Sequence, residues 1–106
     1  MSEIEIVKSV ISEILGQASI PLSKIILFGS RARSDFAPDS DWDFLVIVKD
    51  NLANELRMRL LGSIRKKLAT HKIPNDIIIK SENIIDEQKN DTGYLTYYAL
   101  KDGITV

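Results

Sequence analysis

Three short apolar runs, Lys24–Phe28 (Lys-Ile-Ile-Leu-Phe), Phe44–Val48 and Ile77–Ile79, confine this chain to an architecture built around a sheet. Each is too short for a helix, carries β-branched or aromatic residues and is bounded by turn formers, as buried strands are. The second run is apolar on both faces, which places it at the centre of its sheet. The segments between them have helical period. Ile4, Val7, Ile11, Ile14 and Leu15 make one apolar face ending at Gly16, and Ser2 with Glu5 reads as a capping box at its start. After Asp50-Asn51, residues Leu52, Leu56, Leu60, Leu61, Ile64 and Leu68 form the buried side of a long helix. Gly62 within it costs roughly 1 kcal/mol against alanine, which that leucine face outweighs. Pro74 turns the chain into the third strand, Asn75–Ile79. Helices are expected over Ser81–Lys89 and over Asp91–Lys101, the latter stopped by Gly103, and the final Ile-Thr-Val suits an edge strand. The order α-β-β-α-β-α reads as one α/β (α+β) domain over residues 1–106, with strand directions left open by pattern alone.

Composition removes several function classes. Fourteen basic and 15 acidic side chains give no electrostatic steering, so nucleic acid is not an expected partner. No cysteine is present, which excludes disulfides and thiolate chemistry and fits a reducing cytoplasm. No run is long enough to span a bilayer, and Met-Ser-Glu-Ile-Glu lacks the basic start of a signal peptide. A cytoplasmic location is expected.

The chemistry is concentrated between the first two strands. Gly29-Ser30 follows the first strand directly, and Asp41 and Asp43 lead into the second. A glycine ending a strand and a serine opening a helical turn offer free backbone N–H groups, a natural cradle for phosphate. Asp41 and Asp43, two residues apart on a strand, share a face about 7 Å apart along it. Carboxylates so placed can hold a pair of divalent ions ~4 Å apart, as phosphoryl transfer requires. Gly-Ser followed by Asp-x-Asp at this spacing arises by chance in about one or two chains per thousand of this length. With apolar strands flanking both halves, a fortuitous turn with two solvated aspartates becomes the poorer reading. Asp76 is a third informative acid, because it opens the otherwise apolar run Ile77-Ile78-Ile79. Aspartate is disfavoured in strands and costly to bury unless paired or bound to metal. A turn aspartate after Pro74-Asn75 is its ordinary alternative.

The segment Leu27–Val48 resembles the signature of the DNA polymerase beta-type nucleotidyltransferase superfamily, and most of all the minimal nucleotidyltransferases of prokaryotes. Its specific part is about twenty residues plus Asp76. The resemblance implies a small mixed sheet with helices mainly on one face and the active site at its open edge. It implies that Asp41, Asp43 and Asp76 are catalytic and bind metal, with Asp76 the third carboxylate carried on a later strand. It also makes Gly29, Ser30 and Arg33 the nucleotide-binding residues, with Arg31 a second candidate for the phosphate contact. The family usually has glycine where this chain has Ser34, so positive φ at that position is in question.

The remaining polar and aromatic residues read more plainly. Asp35 and Asp39 are loop acids, with Asp39-Ser40 shaping the turn into Asp41. Trp42 faces away from Asp41 and Asp43 and packs. His71, the only histidine, is expected exposed. Arg57, Arg59, Arg65, Lys66, Lys67 and Lys72 suit the solvated face of an amphipathic helix better than an RNA surface. Tyr94, Tyr97 and Tyr98 read as core first and contact surface second.

The function expected is a nucleotidyltransferase using two Mg²⁺ ions and a nucleoside triphosphate, ATP by preference. Related minimal nucleotidyltransferases transfer AMP to a tyrosine of a HEPN-type toxin, so a HEPN-domain protein is the implied partner and antitoxin the implied role. A homo-oligomer is a further option. The rivals are a catalytically weak nucleotide- or protein-binding subunit, motivated by Ser34, and an aminoglycoside-type small-molecule nucleotidyltransferase. The latter normally carries an added helical domain.

Overall fold

Each apolar run becomes a strand, and each strand is longer than its run. In the computed structural model, which describes residues 1–106, β1 (Leu22–Phe28), β2 (Trp42–Val48), β3 (Asn75–Ser81) and β4 (Ile104–Thr105) form one sheet in the order β3-β2-β1-β4. The helices are α1 (Glu3–Gln17), α2 (Ser30–Arg33), α3 (Asn54–Thr70), α4 (Glu82–Gln88) and α5 (Leu95–Asp102). Strand β1 runs antiparallel to both β2 and β4, whereas β2 and β3 are parallel. The sheet is therefore mixed, and β2 is central as its two-sided hydrophobicity requires. The parallel step needs a crossover, and α3 supplies it.

The alternation of strand residues divides the core in two. Ile25 and Leu27 of β1, Phe44, Val46 and Val48 of β2, and Ile77 and Ile79 of β3 face α1 and α3, forming the larger core. Val7, Val10, Ile11 and Leu15 come from α1, and Leu60, Leu61, Ile64 and Leu68 from α3. The capping box at α1 is formed: Ser2 Oγ accepts from the Glu5 N–H at 3.2 Å while Glu5 Oε1 accepts from the Ser2 N–H. Leu52 and Leu56, expected on the buried side of α3, are only partly buried at its first turn and before it. On the opposite face, Ile26, Phe28, Leu45 and Ile47 meet Ile85 of α4 and Ala99 of α5 in a smaller core. Helices thus cover one face fully and the other only in part. No helix is long and apolar enough to cross a membrane.

The last helix departs from the sequence expectation. It starts at Leu95 and not at Asp91, because Asp91 Oδ1 accepts from the Gly93 N–H at 2.8 Å and closes a local turn that competes with helix. The phase of the helix follows from that start. Thr96 and Ala99 turn inward, while Tyr94 and Tyr98 are exposed and Tyr97 is half-buried, so core is the wrong assignment for Tyr94 and Tyr98. Small inward residues let α5 approach the sheet closely. At its end Gly103 passes so near Ile26 and the carbonyls of Ala99 and Leu27 that any Cβ would overlap them.

A buried polar knot fastens α4 and α5 to β3. Lys80 Nζ donates to Gln88 Oε1 at 2.6 Å and to Thr96 Oγ1 at 2.9 Å, and the Thr96 hydroxyl donates to Gln88 Oε1 at 2.8 Å. Burial lowers the pKa of Lys80 from its ordinary value. Thr96 is 1% exposed, so its hydroxyl has no water to fall back on. Thr96→Val keeps the shape and removes one partner each from Lys80 and Gln88. It should cost about 1–2 kcal/mol, lowering the thermal midpoint by about 5–10 °C in calorimetry.

Candidate active site

The site sits on the face that α4 and α5 leave partly open. Asp43, Leu45 and Ile47 share one side of β2, and Asp76, Ile78 and Lys80 share the same side of β3. The parallel register sets Asp43 directly beside Asp76, and the antiparallel register sets Phe28 opposite Asp43. Two carboxylates therefore meet across adjacent strands, where each strand has just begun. Asp41 lies just before β2 and is exposed.

Gly29 is the reason that the first strand can end against this pair. It has φ 75° and ψ −157°, a region open essentially to glycine alone. A Cβ there would overlap Asp43 Oδ2 and crowd the rest of its carboxylate. Glycine thus serves both the backbone turn and the close passage of the chain over Asp43. The chain then enters α2 at Ser30, whose N–H group, with that of Arg31, lies ahead of the first backbone hydrogen bonds of the helix. The Gly29 carbonyl accepts from the N–H groups of Ala32 and Arg33, closing that turn.

Ser34 ends α2 with φ 64° and ψ 24°, the left-handed conformation. The N–H groups of Ser34 and Asp35 both return to the Ser30 carbonyl, a tight helix stop of the kind that glycine usually supplies. The position does call for positive φ, as the resemblance implied. Serine adopts it at a steric cost and keeps the loop geometry.

The electrostatics of the acids follow from their placement. Burial pushes the Asp43 carboxyl above its ordinary value, the charge of Asp76 and then that of Asp41 push it further, and Arg33 pulls it partly back. The three acids and Arg33 are thus within electrostatic reach of one another. They are not closed up into a ready-made group of three ligands. Arg33 Nε lies 3.4 Å from Asp35 Oδ2, with both side chains more than half exposed, so this pair is weak and easily exchanged.

Arg31, the second candidate for the phosphate contact, is engaged within the loop. Its guanidinium lies between the rings of Phe36 and Trp42, 4.4 Å from each centroid. Nη2 donates to the carbonyls of Ser40 at 2.9 Å and Pro38 at 3.1 Å, and Nε donates to Ser40 at 3.3 Å. Trp42 packs on the opposite face from the acids, stacked on Phe44 at 6.3 Å between centroids. Ser40 shapes the turn as expected, its Oγ accepting from the Ala37 N–H at 3.0 Å. Two features of this region escaped sequence reasoning. Phe36, an aromatic residue in an otherwise polar loop, was the available signal for the stack. Nothing in the sequence marked the contact between Gly29 and Asp43.

Comparison with known proteins agrees with this geometry. The profile of the nucleotidyltransferase domain family matches residues 8–98. A protein of Methanocaldococcus jannaschii to which protein adenylyltransferase activity is ascribed is 30% identical over 98 residues, 85% of this chain and 95% of that one. In fold the chain is similar to a crystal structure of a toxin–antitoxin pair with AMP-PNP, with a TM-score of 0.60 and 23% identity over 99% of this chain and 72% of that one. It is similar also to a variant of the toxin–antitoxin pair MntA–HpeT, at TM-score 0.60 and 23% identity, covering 100% of this chain and 72% of that one. The chain belongs to the nucleotidyltransferase domain family and is a nucleotidyltransferase.

Two outcomes follow from the local energetics. Because the folded state raises the pKa of Asp43, this carboxyl favours folding below its unfolded pKa and loses that contribution as pH rises through its folded value. Without divalent cation, Asp43→Asn should therefore raise the thermal midpoint by a few degrees at pH 7, with the gain shrinking towards pH 4 as the wild-type carboxyl protonates. Ser34→Gly relieves roughly 1–2 kcal/mol of left-handed strain while adding about 0.4–1 kcal/mol of unfolded-state freedom. Urea unfolding should show a gain of up to about 1 kcal/mol, with triphosphate binding undiminished in calorimetry.

Proposed function

We propose that this chain transfers AMP from ATP to a hydroxyl of a protein partner, with Asp41, Asp43 and Asp76 as the acidic centre. The observation that carries this reading is the register Asp43 beside Asp76, with Asp41 two residues before and the Gly29–Ser30 turn lying over the same carboxylate. The turn is the place for the triphosphate, with Gly29 permitting the approach and Ser30 and Arg33 supplying donors to its oxygens. Arg33 is suited to that part because its present pairing with Asp35 is exposed and weak.

The donor set fits divalent cations. It consists of carboxylate oxygens alone, the hard ligands that Mg²⁺ prefers, and the mutual repulsion at Asp43 calls for positive charge. Asp41 and Asp43 would hold both ions and Asp76 one of them, and bound Mg²⁺ would supply neutralisation of the triphosphate and of the leaving pyrophosphate. The protein's own part is positioning and proton transfer. Asp76 accepts the proton of the attacking hydroxyl. The hydroxyl oxygen then forms its bond to the α-phosphorus as the bond from that phosphorus to the bridging oxygen of pyrophosphate breaks, leaving AMP on the acceptor.

The similarity to toxin–antitoxin pairs, one with AMP-PNP, and to the archaeal protein supports ATP as donor and a toxin as acceptor. We place the acceptor hydroxyl on a HEPN-type toxin, which gives this chain the role of antitoxin in the cytoplasm. The exposed Tyr94, Leu95 and Tyr98 at the start of α5 lie on the same sheet face as the acids and offer an apolar surface for that partner. The weaker reading, a catalytically weak nucleotide- or protein-binding subunit, rests on Ser34, which here adopts the left-handed turn that glycine would give.

Co-expression with the product of the adjacent reading frame, followed by intact-mass spectrometry, tests the reading. The partner should gain the mass of one or more AMP groups, and the gain should vanish with Asp41→Asn/Asp43→Asn. An unmodified partner beside adenylylation of a free hydroxyl compound by this chain alone would refute it.

A further inference from the structure

We infer that Arg31 is a positioning residue, which sets Asp41 by gripping the peptide immediately before it and does not touch the nucleotide. The inference rests on the reading of Asp41 as a metal ligand. The Ser40 carbonyl that Arg31 holds with two N–H groups belongs to the peptide whose nitrogen is that of Asp41. A carbonyl fixed in direction fixes the plane of its peptide, and with it the position from which the Asp41 side chain departs. Asp41 needs such support because, unlike Asp43 and Asp76, it lies outside the strand ladders.

The guanidinium is itself held on every side that matters. Its central carbon lies over the rings of both Trp42 and Phe36, 4.4 Å from each centroid, and its N–H groups donate to the carbonyls of Pro38 and Ser40. Trp42 stacks at 9° on Phe44, which is 0% exposed. The order Phe36, Arg31, Trp42, Phe44 thus runs from the loop surface into the larger core. It ties that core to a loop whose own backbone hydrogen bond is the Ser40–Ala37 turn. Arginine is required for this task. Its planar group stacks on both rings and donates in its own plane, whereas lysine offers a point charge without a face.

Phe36 separates this role from phosphate binding. It is 45% exposed and lies under the Arg31 guanidinium, 4.4 Å from its central carbon. The experiment is Mg²⁺ titration of ATP turnover for wild type, Phe36→Ala, Phe36→Tyr, Arg31→Lys and Arg31→Ala, with the KM for ATP measured at saturating Mg²⁺. Thermal midpoints are recorded alongside. Phe36→Ala and Arg31→Lys should each raise the Mg²⁺ concentration for half-maximal rate about five- to tenfold, with KM for ATP changed less than twofold. Phe36→Tyr, which restores the ring, should behave as wild type. Combining Phe36→Ala with Arg31→Ala should add little to Arg31→Ala alone, since both break one assembly.

An unchanged Mg²⁺ requirement in Phe36→Ala and Arg31→Lys, with or without a lower thermal midpoint, overturns the inference and leaves the proposed function standing. So does an Arg31→Lys defect confined to the KM for ATP, which would make Arg31 a phosphate contact. A wild-type enzyme that turns over ATP without divalent cation would instead refute the reading of Asp41, and this inference with it.

Discussion

Gly29 passes over the Asp43 carboxylate with no room for a side chain between them, and most of the surrounding geometry follows from that contact. Because no side chain intervenes, β1 can stop level with the acid and the chain can turn into α2 directly above it. The same absence of Cβ allows the backbone torsions that aim α2 back over the sheet. The antiparallel register then holds Phe28 opposite Asp43, and the parallel register brings Asp76 alongside. The Gly29–Ser30 turn and the acidic cluster are thus two sides of one contact, and neither can shift without the other.

The cost of that arrangement is borne by the two cores. Burial, and then the charges of Asp76 and Asp41, raise the pKa of Asp43, and Ser34 adds local backbone strain. Active sites commonly carry such unfavourable terms. Here the opposing stabilisation comes from fully buried aliphatic residues such as Val7, Ile11, Ile64 and Leu68 on the far face, well separated from the chemistry. The near face contributes less apolar burial and relies on the Lys80–Gln88–Thr96 hydrogen bonds to keep α4 and α5 in place.

Much of this was legible in the sequence, because strands, helix faces and acids each leave a local mark. The apolar runs located the first three strands, and leucine spacing located α3. The Gly-Ser and Asp-x-Asp pair located the site. What stayed hidden depends on distant residues or on helix phase. Strand directions required the crossover through α3, and the Asp43–Asp76 register required those directions. Arg31 and Arg33 are alike in sequence, and the aromatic rings of Phe36 and Trp42 give Arg31 surroundings that Arg33 lacks. For Tyr94, Tyr97 and Tyr98, aromatic character suggested burial, but the turn at Asp91 set the helix phase and put Thr96 and Ala99 inside.

The mixed sheet also divides the site by the order in which it can be assembled. Gly29, Asp41 and Asp43 all belong to the hairpin of β1 and β2, whose contacts are short in sequence and close only a modest loop. Asp76 joins them only after α3 has crossed the sheet and β3 has paired in parallel, a contact with a larger loop-closure cost. A growing or refolding chain can therefore form the Gly29–Ser30 turn and two of the acids well before the third carboxylate arrives. Completion of the acidic centre reports that the long-range topology is in place.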